Sequence, residues 1–277
     1  MSQAFAALQR LLPHHTLSRI TGRLASSQAP WVKRPFIHAF ARTYRVNMAE
    51  AERPNLDDYP CFNDFFTRAL RPDARPPDAD PRALLCPADG TISQAGGIHE
   101  DRLLQAKGNS YSLRGLLGED ETALHGGSFV TVDRAPRDYH RVHLPAAGTL
   151  SRTTAIPGAL FSVNARTEAA VSGLFCRNER LVCRFETDFG PMLVVLVGAM
   201  IVASIETVWN DTPSPYKRIE SRGWDQTFDR GAEIGRFLLG STVIVCCPPG
   251  AIELDPKIRP GRAVQVGQSL GRLTQET

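Results

Sequence analysis

The chain has 277 residues, 42% of them hydrophobic and 22% charged, enough for one large domain or a domain with an appendage. Its longest apolar run, Met192 to Ile205, is shorter than the ~20 residues a spanning helix needs, and its Val and Ile content suits core strands. Net charge is only +3, but seven Lys or Arg and no acid precede Glu50, so any basic partner surface lies at the N-terminus.

The six cysteines show neither a C-x-x-C pair nor a histidine spacing suited to zinc, and read as reduced, mostly buried residues of a cytosolic protein. No secretory signal, long-period repeat or Gly-rich phosphate loop is visible, and no nucleic-acid partner or metal is expected.

Residues 1–50 form the first expected unit. Phe5, Leu8, Leu11 and Leu12, then Leu17, Ile20 and Leu24, then Trp31, Phe36, Ile37, Phe40 and Tyr44 recur at helical spacing, while Pro13, Pro30 and Pro35 cut the segment into short helices. Aromatic-bearing apolar faces beside a basic, acid-free polar face describe helices lying in an anionic membrane interface. A helical cap packed on the body is the alternative, and a transit peptide would share the same composition.

Residues 51–82 read as a helical and Pro-rich connector. Asn63 is a candidate cap for a short helix around Phe62, Phe65 and Phe66, and Arg71 to Pro81 favours extended chain. Residues 83–277 read as a β-rich domain. In Pro87-Ala88-Asp89-Gly90 the Asp-Gly pair is first a hairpin-turn signal. Pro136 and Pro145 bracket Tyr139-His140-Arg141-Val142-His143, which, if extended, points His140 and His143 to opposite faces and gives them different jobs. Metal binding by this pair lacks an H-E-x-x-H register or a nearby cysteine.

Pro157 to Asn164 reads as a loop that meets lipid through Leu160 and Phe161. Leu181 to Thr187, Met192 to Val197 and Ala199 to Val208 read as strands, and the polar stretch Lys217 to Gly231 as a flexible excursion. Gly235 to Val245 is a strand interrupted by Gly240-Ser241-Thr242. A serine hydroxyl held at its own preceding peptide bond has what an N-to-O acyl shift needs, and β-elimination of the resulting ester would leave a dehydroalanine that hydrolyses to a pyruvoyl group. Arg262 to Leu273 has the Val-x-x-Gly-Gln-x-Leu-Gly cadence of a barrel-sandwich fold but no carrier lysine. The fold class is therefore α+β, with an N-terminal amphipathic helical arm, then a predominantly antiparallel β domain whose C-terminal part is barrel-sandwich-like.

Four separated motifs, Phe62-Asn63-Asp64-Phe65-Phe66, Pro87-Ala88-Asp89-Gly90, Tyr139-His140-Arg141-Val142-His143 and Leu239-Gly240-Ser241-Thr242, occur in the order found in the phosphatidylserine decarboxylases. The chain resembles the compact bacterial, membrane-associated type of that family from Phe62 to about Leu273, and more loosely through the arm. The resemblance implies a precursor that cuts itself between Gly240 and Ser241. Asp89 would orient His143, His143 would deprotonate Ser241, and residue 241 would become the pyruvoyl group to which the substrate amine condenses.

The resemblance further implies decarboxylation of phosphatidylserine to phosphatidylethanolamine by a peripheral enzyme on the cytoplasmic face of the cell membrane. The larger and smaller cleavage chains would stay together, with a homodimer of that unit as a further expectation. His140 and His143 are both candidates for the proton donor after carbon dioxide leaves. A serine hydrolase using the same three residues, a non-catalytic lipid-binding or carrier-like β module, and a pyruvoyl decarboxylase of a soluble amino acid, which would not need the basic apolar arm, are the competing readings.

Overall fold

The computed structural model describes residues 21–105, 109–163, 165–199, 205–210, 215–238 and 241–274. Antiparallel pairing dominates. The central sheet has eight strands in the spatial order β11 (Glu220–Phe228), β7 (Gly148–Ile156), β8 (Arg180–Thr187), β9 (Gly190–Val197), β13 (Ser241–Cys247), β5 (Ser128–Arg134), β2 (Gly90–Gly97) and β15 (Ala263–Val264). Alternation decides its two faces. Val130, Val132, Val243 and Val245 join one core cluster, while Phe129, Ile244, Cys246 and Val195 join the other, which packs beneath short helices α3 (Leu113–Leu117) and α5 (Leu174–Arg177). Cys246 and Cys247 accordingly face opposite cores, and all six cysteines are free thiols.

Two small sheets flank the first face: β1 (Ala83–Leu85), β16 (Ser269–Leu273) and β14 (Ile252–Leu254) in the order β1-β16-β14, and β10 (Ile205–Thr207), β12 (Glu233–Phe237) and β6 (Arg141–His143) in the order β10-β12-β6. A hairpin-like pair, β3 (Arg102–Leu104) and β4 (Ser110–Ser112), completes the strands among the described residues. The C-terminal strands are distributed over two open sheets, so the barrel-sandwich cadence builds no closed barrel here.

The arm is a helical cap with an outward edge. In α1 (Pro30–Tyr44), Phe36, Ile37, Phe40 and Ala41 pack against Phe62, Phe65 and Phe66 of α2 (Phe62–Phe66), with Phe36 and Phe62 stacked at 4.1 Å. Trp31 remains 80% exposed and Leu24 51% exposed. The apolar positions before residue 21 lie outside the described residues.

Four local expectations are corrected. Cys61, not Asn63, occupies the cap position of α2; Asn63 lies within the helix and its amide donates to Ser26 Oγ at 3.0 Å. Asp89-Gly90 is no hairpin turn, because β1 and β2 belong to different sheets. Gly90 is needed for another reason: a Cβ there would lie 2.2 Å from the Asp133 carbonyl oxygen across the sheet. The polar stretch after Lys217 contains β11, an edge strand paired to β7 from Glu220↔Ala155 to Phe228↔Gly148. Finally, Leu160 and Phe161 are buried, with Asn178 bonding both the Phe161 N–H and carbonyl, so in this structure they do not meet lipid.

Candidate active site

The site lies where the chain leaves one sheet for another. β12 ends at Phe237 in the three-stranded sheet, and β13 begins at Ser241 in the middle of the eight-stranded sheet, between β5 and β9. The Leu239-Gly240 pair and the Ser241 side chain are outside the described residues. The Ser241 backbone is in register with Arg134, and Thr242 with Asp133 and Val197.

His143 sits at the end of β6, paired with Glu233 of β12. Its main-chain N–H donates to the Pro87 carbonyl at 2.9 Å, which lays the Pro87-Asp89 segment alongside. Its ring lies 2.8 Å from the Gly231 carbonyl through Nδ1 and 3.1 Å from the Tyr139 hydroxyl through Nε2. A carbonyl only accepts, so the proton is assigned to Nδ1, and the Tyr139 hydroxyl donates to Nε2. Burial lowers the ring's pKa, partly offset by the Gly231 bond, so the imidazole is uncharged at neutral pH and its Nε2 lone pair is able to accept a proton.

Asp89 lies just before β2, 5% exposed, and its carboxylate is clamped. Oδ1 accepts from the Val266 N–H at 2.8 Å, and Oδ2 accepts from Arg75 Nη2 at 2.7 Å, with Arg75 Nε 3.1 Å from both oxygens. The same Arg75 Nη2 reaches Glu50 Oε2 at 2.8 Å. Burial works against the Arg75 charge, but the hydrogen bonds to Asp89 and Glu50 outweigh it and hold its pKa above the ordinary value. Asp89 and His143 thus line one region, each with other partners and no hydrogen bond between them.

His140 is placed differently. It is fully buried, stacked on Phe66 at 3.8 Å, with Nε2 3.4 Å from the Pro136 carbonyl and Nδ1 without a hydrogen-bond partner. Burial, then the nearby Arg134 and Arg68 charges, push its pKa well below the ordinary histidine value.

Several groups at the site are invisible to pattern reading. Arg75 sits in what reads as a Pro-rich linker. Arg134, opposite Ser241, is buried over the Phe237 ring at 4.2 Å, and burial pulls its pKa to about 9. On the other face Asp133 accepts from Thr242 Oγ1 at 2.7 Å and meets Glu168 of α4 (Ala165–Ala170), which takes the Ser93 hydroxyl at 2.5 Å. Burial and the neighbouring Glu168 raise the Asp133 pKa well above the carboxylate range, so this pair holds a proton next to residue 242.

A family model described as phosphatidylserine decarboxylase matches residues 62–272, and one described as PSD matches residues 4–45. The chain belongs to the phosphatidylserine decarboxylase family. Among its phosphatidylserine decarboxylase relatives, a proenzyme of Methylococcus capsulatus is 51% identical over 96% of both chains. Proenzymes of Saccharophagus degradans and Pseudomonas putida are 48% and 49% identical over 97% and 99% of both chains. The matched region takes in Asp89, His143 and the Gly240-Ser241 junction together.

Proposed function

We propose that this chain is a self-cleaving proenzyme that, once cut between Gly240 and Ser241, decarboxylates phosphatidylserine to phosphatidylethanolamine at a membrane surface. The observation that carries the reading is the full-length match to proenzymes of that name together with the position of residue 241 at the first residue of a central strand. In the precursor His143 is the base for the Ser241 hydroxyl. Its Nε2 exchanges the Tyr139 hydroxyl for the serine proton, and Asp89 supports the imidazolium that forms. The hydroxyl oxygen then bonds to the Gly240 carbonyl carbon, the peptide C–N bond breaks, and elimination releases the Gly240 carboxylate.

Elimination leaves a dehydroalanine at residue 241, which adds water and loses its nitrogen as ammonia, and the resulting pyruvoyl group would supply an electron sink for decarboxylation. The surroundings fit such a group: residue 241 opens a strand held on both sides, and its register partner is a buried arginine. His140 is uncharged and enclosed, which leaves His143 better placed as the proton donor.

No helix among the described residues is long and apolar enough to cross a membrane. Leu24 and Trp31, with the exposed Arg34 guanidinium, supply an interfacial contact, and the enzyme is peripheral on the cytoplasmic face. Intact mass and denaturing electrophoresis test the reading. The wild type is expected as two chains, the smaller a 37-residue fragment blocked at its N-terminus, and Ser241→Ala as one uncut chain with no carbon dioxide release from phosphatidylserine. A single intact wild-type chain that turns over would overturn it.

A further inference from the structure

A cleft of about 280 Å³ opens beside Asp89, bounded by the end of α1, the connector and the Ala135-Tyr139 turn. Its lining includes Arg45, Arg68, Arg75 and Arg137 against Glu50, Asp89 and Asp138. The charges are not evenly matched. Arg75 is neutralised by its bonds to Asp89 and Glu50, and Arg137 lies 3.8 Å from Asp138. Arg68 is only 3% exposed; its described polar contact is Nη2 to the Arg137 carbonyl at 3.2 Å, its Nε has no hydrogen-bond partner, and among the described residues it makes no ion pair. A buried guanidinium without a carboxylate is costly unless an anion joins it. Burial lowers the Arg68 pKa, as expected for a cation lacking a close counter-charge.

The placement says where the anion comes from. Arg45 caps the C-terminus of α1 in the left-handed region at φ 53°, and the preceding Tyr44 is 42% exposed, so the outward edge of the arm leads to the mouth of the cleft. Leu70 and Val264 add apolar lining. At the inner end, Ala135 follows Arg134, the register partner of Ser241.

We propose that this cleft seats the monoanionic phosphodiester of a glycerophospholipid headgroup, with Arg68 as its principal anchor and Arg45 and Arg137 at the mouth. The inference rests on the function proposed above and adds the subsite that recognises the lipid's phosphate. A free phosphate offers the same oxygens, but the joining of a lipid-facing helix to a cleft with apolar lining favours the diester. Arg rather than Lys suits two oxygens of one phosphate, because its planar fork can donate to both.

The test uses the full-length, uncut Ser241→Ala protein, so that binding is read apart from turnover. Calorimetry with glycerophosphoserine, inorganic phosphate and free serine is expected to rank them in that order, with glycerophosphoserine at least about tenfold tighter than phosphate. Arg68→Met should weaken glycerophosphoserine binding by about tenfold or more, and Arg68→Lys should restore part of it. In the cut enzyme Arg68→Met should raise KM for phosphatidylserine far more than it lowers kcat. Should Arg68→Met fail to fold by circular dichroism, Arg137→Ala, whose side chain is 70% exposed, reads the same site, with about a threefold loss expected. Equal binding to the parent and the folded variants would overturn the proposal, as would phosphate binding as well as the diester. If the wild type is cut and releases carbon dioxide while Arg68→Met binds normally, this inference alone falls. If the wild type is never cut, the functional reading falls instead.

Discussion

The two sheets that meet at the proposed cut share one apolar core but differ in the polar ties that brace their strands. On the downstream side, β13 lies between β5 and β9 with Val243, Ile244 and Val245 at 0–1% exposure, facing Leu196, Val195 and Val194 on β9 and Val132, Thr131 and Val130 on β5. On the upstream side, ion pairs brace the short strands, Arg141 to Glu233 at 2.8 Å between β6 and β12 and Arg236 to Glu206 at 3.2 Å between β12 and β10, beside the Asp89-Arg75-Glu50 clamp. Burial fixes the strand that carries Ser241 regardless of pH, whereas hydrogen bonds and ion pairs hold His143 and Asp89, the proposed base and its carboxylate. The polar partners can be exchanged one for another; the apolar ladder cannot. A nucleophile on a rigid strand and a base on an adjustable one suit a reaction that must happen once and then yield the same space to a substrate.

The largest effect expected from breaking this contrast is at the clamp. Arg75→Ala strands Asp89 without its cation and is expected to cost roughly 3–5 kcal/mol, while the double variant Arg75→Met, Asp89→Leu recovers most of that in urea unfolding. Ile244→Ala on β13 should cost about 3 kcal/mol through lost burial and a cavity, with no second truncation able to restore it. If the double variant at the clamp is no more stable than Arg75→Ala, the two sides do not differ as described.

The pH dependence sharpens the same point. His140 and His143 have folded pKa values below the ordinary ~6.5, so the unfolded chain binds more protons as pH falls, and stability present above ~6.5 is lost on acidification. Each histidine contributes a slope of up to about 1.4 kcal/mol per pH unit in that window, and His140→Phe, which keeps the stack on Phe66, should flatten its share. Smallest is the arm: Trp31→Ala should reduce partition onto anionic vesicles a few-fold without moving the unfolding midpoint, because the side chain is 80% exposed.

What pattern reading recovers follows the same division. β8 and β9 are legible because alternating or continuous β-branched residues leave few other options, and the Phe-rich α2 is legible as a core element. β11 is missed because an edge strand with most of its residues exposed carries no apolar alternation. The role of Gly90 is misread because the neighbour that requires it, the Asp133 carbonyl, is distant in sequence. Asp89 and His143 are named from motifs, but the clamp is not, since Arg75 meets partners 14 and 25 residues away and follows no period. The Asp133-Glu168 contact joins a strand to a helix, and each acid alone looks like an ordinary surface residue.

The sheet crossing also bears on how the protein is made. The 37 residues after the proposed cut supply β13, inserted between β9 and β5, β15, paired to β2 at the sheet edge, and β16 with β14, joined to the larger piece through β1. Only the uncut chain has these partners tethered during assembly; afterwards, separating them turns refolding into an encounter between two molecules. Maturation would therefore make unfolding a one-way event, so that the mature enzyme persists by the slowness of its disassembly rather than by an ability to rebuild itself.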